Sequence, residues 1–195
     1  MTLDHHPRAA EFLALLEQRL KPKLVRHCKG VAETLLAIGH REGLDPLRCI
    51  EAGLLHDSCK HLKKKEYIEA AERWDIPVND IARQKPMLLH GPIAAEEARA
   101  IHGLDDPDLY EAMYWHTTGK PGLNPLGLAL YVADFCEPNR EYPEAAEARD
   151  RLKADGLQEA LVFVTAAKLA FVQAKDAVDP ATAAFHQWVM DGMPR

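Results

Sequence analysis

Two segments of this 195-residue chain place ionisable side chains where apolar core residues are expected. In GLLHDSCKHLKKK (53–65), His56 and Asp57 stand side by side directly after an apolar run, and Asp134 interrupts LALYVADFC (128–136). Burying a carboxylate without a partner is costly, and neither apolar run contains an arginine. A divalent metal would compensate both carboxylates, because imidazole and carboxylate together suit ions such as Fe, Mn and Zn. The pattern therefore indicates a metal site.

Three further histidines occupy comparable positions. His27 lies at the edge of an apolar helical stripe, His90 follows Met-Leu-Leu at a helix start, and His116 follows Ala-Met-Tyr-Trp at a helix end. A single histidine of this kind is more often a satisfied core or boundary residue than a ligand. The combination of several such histidines with two carboxylates on different helices favours metal binding.

The His56-Asp57 pair can serve two metal ions at once. Adjacent helical residues point about 100° apart, so both side chains can flank one cavity, with His56 on one ion and Asp57 reaching both. A bridging carboxylate holds two metals about 3.5–4 Å apart, where they lower the pKa of a shared water and generate a bridging hydroxide for hydrolysis. Six protein ligands on two ions leave positions for water and substrate. The candidate ligands are His27, His56, Asp57, His90, His116 and Asp134.

Helical periodicity runs through the chain, and strand patterns are almost absent. Apolar residues recur every three or four positions from Leu24 to Ile38, Gly43 ends that helix, and Asp45-Pro46 starts the next one. Further helices are predicted at Lys64–Trp74, Pro92–Ile101, Pro107–Trp115, Pro125–Cys136, Pro143–Ala154, Leu157–Ala177 and Pro180–Met190. The Leu157–Ala177 segment is the longest and most apolar of these, so we expect a central core helix there. The sequence predicts an all-α, single-domain protein.

Composition and charge limit the classes of function. A hydrophobic content of 47% suffices for a core, and a net charge of −6 argues against nucleic-acid binding while allowing a local cationic pocket. No segment approaches the roughly 20 apolar residues that cross a bilayer, and the N-terminus does not resemble a signal peptide. The cysteines have no CxxC spacing and are expected to be reduced: Cys28, Cys49, Cys59 and Cys136. These features predict a cytoplasmic protein without nucleic-acid or membrane partners, and a homodimer is left open.

The ordered set of histidines and aspartates resembles the H…HD…H…D signature of the HD superfamily of metal-dependent phosphohydrolases. Three longer strings, HDSCK (56–60), WHTTGKPG (115–122) and YVADFCEPNR (131–140), resemble the HDxxK, HTxGxPG and ADxxEPxR blocks of the YqeK family. His90 also falls where that family has a histidine. The resemblance implies a helical HD-domain bundle over residues 22–195, with residues 1–21 as an N-terminal helical extension packed on it.

The same resemblance implies the reaction. The family cleaves dinucleoside polyphosphates symmetrically, so diadenosine tetraphosphate and water would give two ADP, with two divalent ions as cofactors. Iron is the expected metal, with manganese or cobalt as substitutes. One ion would be held by His27, His56, Asp57 and Asp134, and the other by Asp57, His90 and His116. Asp57 and Lys60 would be the catalytic residues.

Several residues near these motifs are candidates for contact with an ADP-like nucleotide. Lys60 lies three residues after Asp57 and can reach a phosphate. Residues 117–119 offer hydroxyl and backbone N–H groups to an anion. Arg140 can bind a phosphate with two parallel hydrogen bonds. Each of these side chains can also be an ordinary solvated residue. The segment 180–182 begins a helix whose free N–H groups can face an anion. The candidates are Lys60, His90, Thr117, Thr118, Gly119, Arg140, Pro180 and Thr182.

Three alternatives to this function stay open at the level of the sequence. The first is a nucleoside mono- or triphosphate phosphohydrolase of the same superfamily. The second is a nucleotide- or metal-sensing module without turnover, and the third is a purely structural helical scaffold. The products formed from diadenosine tetraphosphate and the metal content separate these alternatives.

Overall fold

The computed structural model describes residues 2–175 and 178–194, and every regular element in them is helical. The α-helices are α1 (Ala9–Arg19), α2 (Pro22–Glu42), α3 (Pro46–Leu55), α4 (Lys64–Arg73), α5 (Asp80–Gln84), α6 (His90–Ala100), α7 (Pro107–Trp115), α8 (Pro125–Cys136), α9 (Pro143–Ala154), α10 (Leu157–Gln173) and α11 (Pro180–Met190). Short 3-10 helices span Leu3–His5 and Pro86–Leu89. The predicted all-α class is confirmed.

Helix boundaries follow the predicted capping residues. Gly43 adopts φ +70° at the end of α2, which is the left-handed conformation that glycine accepts. The Asp45 side chain accepts a hydrogen bond from Leu47 N–H at the start of α3 (2.8 Å). Pro92 is an exception, because it is the third residue of a helix that begins at His90. Proline is tolerated there, since the N–H groups of the first helical turn have no intrahelical partner.

The central helix is α8, which differs from the prediction. Ten of the twelve residues of α8 are buried, and it packs against α2, α3, α7, α9 and α10. The described part of α10 buries four residues and leaves Phe171 61% exposed, so it lies on the periphery. The predicted end of that helix at Ala177 lies outside the described residues. Apolar content alone misidentified the core helix because it does not tell which faces are covered.

Helices α2 and α3 approach each other closely at Gly53. A Cβ atom on Gly53 would lie 2.3 Å from the Cα atom of Ala32, so only glycine allows this contact. The contact packs α2, which carries His27 near its start, against the end of α3, which precedes His56. Helix α1 packs on α3 and α2, and the domain boundary after residue 21 stays a prediction. No described helix is long and apolar enough to span a membrane.

Candidate metal centre and active site

The six residues predicted as metal ligands lie together in two groups that share one aspartate. Within each group, one potential ligand atom from every member lies within 4.8 Å of those of the others. The first group is His27, His56, Asp57 and Asp134, and the second is Asp57, His90 and His116. All six side chains belong to residues that are 8% exposed or less. The structure thus collects them from five places in the chain, in the division that the family resemblance implies.

Asp57 turns one carboxylate oxygen toward each group. Its Oδ2 atom lies 3.4 Å from Nε2 of His27 and 3.5 Å from Nε2 of His56. Its Oδ1 atom lies 3.1 Å from Nε2 of His90 and 3.5 Å from Nε2 of His116. A carboxylate in this orientation can bridge two cations.

His56, His90 and His116 are oriented by the same backbone device, and we call them the helix-end histidines. Each stands at the end of a helical segment, with its Nδ1 atom against the carbonyl oxygen of the residue three positions earlier. Terminal carbonyls of a helix lack intrahelical partners, and a carbonyl can only accept a hydrogen bond. The proton therefore sits on Nδ1, and the lone pair of Nε2 points into the cluster.

The protonation of His56 and His90 suits metal binding. Burial lowers the pKa of His56 to about 3 and the pKa of His90 to about 4, so both rings are neutral at pH 7. Neutral imidazole is the form that coordinates a metal.

Several of the inward-facing atoms are acceptors without a donor. Nε2 of His56 and Oδ1 of Asp57 are buried and find no hydrogen-bond partner among the described residues. Nε2 of His90 lies 2.9 Å from Nε2 of His116, although both rings place their proton on Nδ1. Buried polar atoms are normally satisfied, and facing lone pairs require a proton or a cation between them. The cluster is therefore able to hold metal ions, and imidazole and carboxylate together suit divalent transition metals.

His27 is held differently, near the start of α2. Its Nδ1 atom lies 3.1 Å from Oε1 of Glu137, and its Nε2 atom lies 3.1 Å from Oδ1 of Asp134. Burial would lower the pKa of His27, but hydrogen bonds to Asp134, Asp57 and Glu137 outweigh it and raise that pKa to about 10. Glu137 is buried and accepts hydrogen bonds from the backbone and side-chain N–H groups of Asn139 (2.7 and 2.8 Å).

The two central carboxylates also have cationic partners from outside their apolar runs. Nζ of Lys60 lies 2.7 Å from Oδ2 of Asp57, in a non-helical turn where Lys60 N–H donates to the Asp57 carbonyl. The Arg140 guanidinium donates to Oδ1 of Asp134 (2.9 Å) and to its carbonyl oxygen (3.1 Å). Burial would raise the pKa of Asp57, but the neighbouring histidines and Lys60 hold it well below its usual value. Basic partners thus reach both carboxylates, although neither apolar run contains an arginine.

Sequence reasoning missed two residues of this site. Glu137 follows the buried helix α8 and could have been recognised as one more carboxylate next to an apolar run. Lys168 lies on α10 with its Nζ atom 3.8 Å from Oδ2 of Asp134 and 3.6 Å from the centre of the Tyr131 ring. Burial lowers the pKa of Lys168 to about 8. A single lysine in an apolar helix gives no signal of this placement in the sequence.

The remaining substrate-binding candidates divide into those at the cluster and those away from it. The Thr117 hydroxyl lies 3.2 Å from Nε2 of His90 and 3.1 Å from Nε2 of His116, at the edge of the second group. Thr118 follows it and is half-buried. The Gly119 N–H donates to the Trp115 carbonyl (2.7 Å), so it is not free for an anion.

The start of α11 is less suited to an anion than the sequence indicated. The helix begins at Pro180 as predicted, but the Asp179 side chain caps Ala181 N–H (2.9 Å) and its carbonyl accepts from Thr182 N–H (3.0 Å). Proline itself has no N–H. The expected free donors of residues 180–182 are therefore occupied, next to a carboxylate that would repel a phosphate.

The HD domain family matches residues 24–158, which is more than half of the chain. The chain belongs to the HD domain family. The predicted HD-domain architecture and the identification made from the three motif strings are confirmed.

Members of the HD family with similar sequences carry one recurrent name. The chain is 31% identical to a symmetrical bis(5'-nucleosyl)-tetraphosphatase of Bacillus subtilis, over 93% of this chain and 97% of that protein. A protein of the same name from Halalkalibacterium halodurans is 32% identical over 73% of this chain and 76% of its own length. A solved structure from Clostridium acetobutylicum, described as a predicted HD superfamily hydrolase involved in NAD metabolism, has a TM-score of 0.88 and 28% identity, covering 94% and 97% of the two chains.

Proposed function

We propose that this HD-domain protein hydrolyses dinucleoside polyphosphates symmetrically, converting diadenosine tetraphosphate and water to two molecules of ADP. The observation that carries the proposal is Asp57, which presents one oxygen to each of two groups of histidine and aspartate side chains. The names of the curated relatives support the substrate class. The proposed cofactors are two divalent ions, with iron expected and manganese or cobalt as substitutes.

The proposed ligand division follows the two groups of the cluster. His27, His56 and Asp134 would hold one ion, His90 and His116 the other, and Asp57 both. When bound, such ions acidify water to supply a nucleophile and neutralise phosphoryl charge.

The chain's own residues then bind and orient the polyphosphate. Lys60 and Arg140 stand beside the two carboxylates on one side of the cluster, and Lys168 approaches Asp134 from α10. Fixed cations around a reacting phosphoryl group stabilise the charge that develops on its oxygens. The Thr117 hydroxyl, beside two helix-end histidines, can donate to a phosphoryl oxygen held at the second group.

The proposal includes a cytoplasmic location. The four cysteines are free and buried, which is the usage expected in a reducing compartment.

The test is a product analysis with purified protein. The protein is incubated with Fe(II), Mn(II) or Co(II) and diadenosine tetraphosphate, and the nucleotides are separated by anion exchange. ADP as the sole nucleotide product is expected, and in ¹⁸O-labelled water one of the two ADP molecules should carry the label on its terminal phosphate. AMP with ATP would indicate asymmetric cleavage and contradict the proposal.

Two further outcomes address the alternatives. Release of phosphate from nucleoside mono- or triphosphates, without turnover of the dinucleotide, would favour the related phosphohydrolase activity. Nucleotide binding without products would favour a sensing module.

A further inference from the structure

A cleft of about 810 Å³ lies against one edge of the metal cluster. His27, Lys60 and Arg140 belong both to the cluster region and to the lining of this cleft. Another part of the lining comes from the junction of α1 and α2, from residues 19–21, 23, 24 and 26. We call this feature the basic cleft.

The charge of the basic cleft is opposite to that of the chain as a whole. Its lining contains six lysine or arginine residues and two glutamates, whereas the whole chain carries a net charge of −6. The cations are Arg19, Lys21, Lys23, Arg26, Lys60 and Arg140. One of the two glutamates, Glu137, is buried against His27. Like charges assembled on one wall repel each other, so the arrangement is expected to serve an anion.

Three cations of the basic cleft are free to meet a ligand. Lys21, Lys23 and Arg26 are exposed, and none of them forms an ion pair within residues 2–175 and 178–194. Arg19 is different, because it is paired with Glu97 at 2.6 Å. The cleft therefore offers exposed positive charge at the junction of α1 and α2, and Lys60 and Arg140 beside the cluster.

The size and position of the cleft suit a nucleoside diphosphate. Small-molecule sites usually have volumes of about 300–1,000 Å³, and the cleft falls within this range. A dinucleoside tetraphosphate cut at its central anhydride has one ADP moiety on either side of the reacting phosphorus. One of these moieties must extend away from the cluster along the protein surface. The basic cleft offers such a path, because His27 of the cluster is part of its lining.

We propose that the basic cleft is a second nucleotide subsite, in which Lys23 and Arg26 bind the phosphates of the ADP moiety that lies beyond the cluster. This inference rests on the proposed function for the identity of the ligand. A second cavity of about 830 Å³, between α2, α3 and the N-terminal residues, contains none of the six cluster residues and is not a candidate for this role.

The test compares a ligand with two nucleosides and a ligand with one. The probes are a diadenosine tetraphosphate analogue with a methylene group in its central bridge, which resists hydrolysis, and ADP. Their affinities for the Mn(II)-loaded protein are measured by calorimetry at several salt concentrations. The variant is K23E/R26E, and the matched control is R73E/K153E, which reverses one lysine and one arginine that are exposed and lie outside the cleft.

The expected result is a selective loss. K23E/R26E should weaken binding of the dinucleotide analogue by about tenfold or more and flatten its salt dependence. The affinity of the tighter ADP site should change by less than about twofold in this variant. The control variant should bind both ligands with the affinity of the wild type. Thermal unfolding should be unchanged, because both substituted side chains are exposed.

Other outcomes would overturn the subsite. Equal affinities of the variant and wild type for the analogue would remove the cleft from substrate binding. Equal losses of affinity for the analogue and for ADP, or an equal loss in the control variant, would mean that Lys23 and Arg26 act only by general electrostatic attraction. Because the readout is binding, a wild-type protein that binds the analogue but does not cleave diadenosine tetraphosphate would refute the proposed function and leave the subsite to be judged by the variants.

Discussion

The helix-end histidines and His27 face the same Asp57 carboxylate, but their second ring nitrogens meet different partners. The helix-end histidines donate Nδ1–H to uncharged backbone carbonyls, whereas His27 has the Glu137 carboxylate at 3.1 Å. The pKa is lowered to about 3 for His56 and about 4 for His90, and it is raised to about 10 for His27. Burial is the main cause of the two lowered values, whereas hydrogen bonds to Asp134, Asp57 and Glu137 outweigh burial at His27. His56 and His90 are thus ready for metal, whereas His27 must first lose a proton.

Removing the residue common to both sides should have the largest effect. In Asp57→Ala, turnover of diadenosine tetraphosphate should fall by about 1,000-fold or more, because both ions lose a ligand and Lys60 loses its partner. Metal content by elemental analysis should drop from about two ions per chain. Circular dichroism checks that the variant is folded, and a folded Asp57→Ala protein with full activity would refute the bridging role.

The Glu137→Gln variant tests the His27 side alone. Partners of metal-binding histidines typically contribute about 10–100-fold in metal affinity, and we expect a loss in that range, measured by competition with a chelator. The variant should also lower the pKa of His27, because one of the carboxylates that raise it is gone. Glu144→Gln, at an exposed position of α9, is the control and should bind metal like the wild type.

The pH dependence of metal binding should come from His27. At pH 7 the metal-free His27 ring is protonated, because its pKa is raised to about 10, while His56 and His90 are already neutral. Binding should therefore release one proton from His27, and affinity should rise by about tenfold per pH unit between pH 7 and 9. Calorimetry in buffers of different ionisation enthalpy counts the protons. Release of no protons would show that His27 does not differ in protonation from His56 and His90.

Lys168→Met should have the smallest effect of this series. Methionine keeps most of the apolar stem that packs on Tyr131 and removes the charge near Asp134. We expect kcat/KM for diadenosine tetraphosphate to fall by about tenfold, with metal affinity little changed. An equal loss of metal affinity would mean that Lys168 acts on the cluster rather than on the polyphosphate.

The sequence predicted the fold and the assembly of the cluster well where local signals are strong. Gly43 and Asp45-Pro46 mark helix ends by their backbone and capping chemistry, which does not depend on distant residues. The cluster was predictable because buried histidines and aspartates in apolar runs are costly unless they share a partner. Their roles as ligands stay a prediction that the variants above address.

The features that the sequence did not predict depend on contacts between distant segments. Lys168 reaches Asp134 only because α10 packs on α8, and Arg140 reaches it through the turn after α8. The capped start of α11 depends on one preceding side chain, Asp179, which accepts the Ala181 N–H that an anion would otherwise use. The central position of α8 likewise follows from its neighbours on several sides and not from its own apolar content.

The burial of the thiols has a consequence for the chemical durability of the protein. Cys28 adjoins His27 and Cys59 lies two residues after Asp57, and burial raises the pKa of both sulfhydryl groups. Thiolate is the form that peroxide attacks and that captures soft metals. The sulfur atoms beside the cluster are therefore poor targets for oxidation and poor competitors for a metal ion. Peroxide should modify them only after the surrounding helices have unfolded.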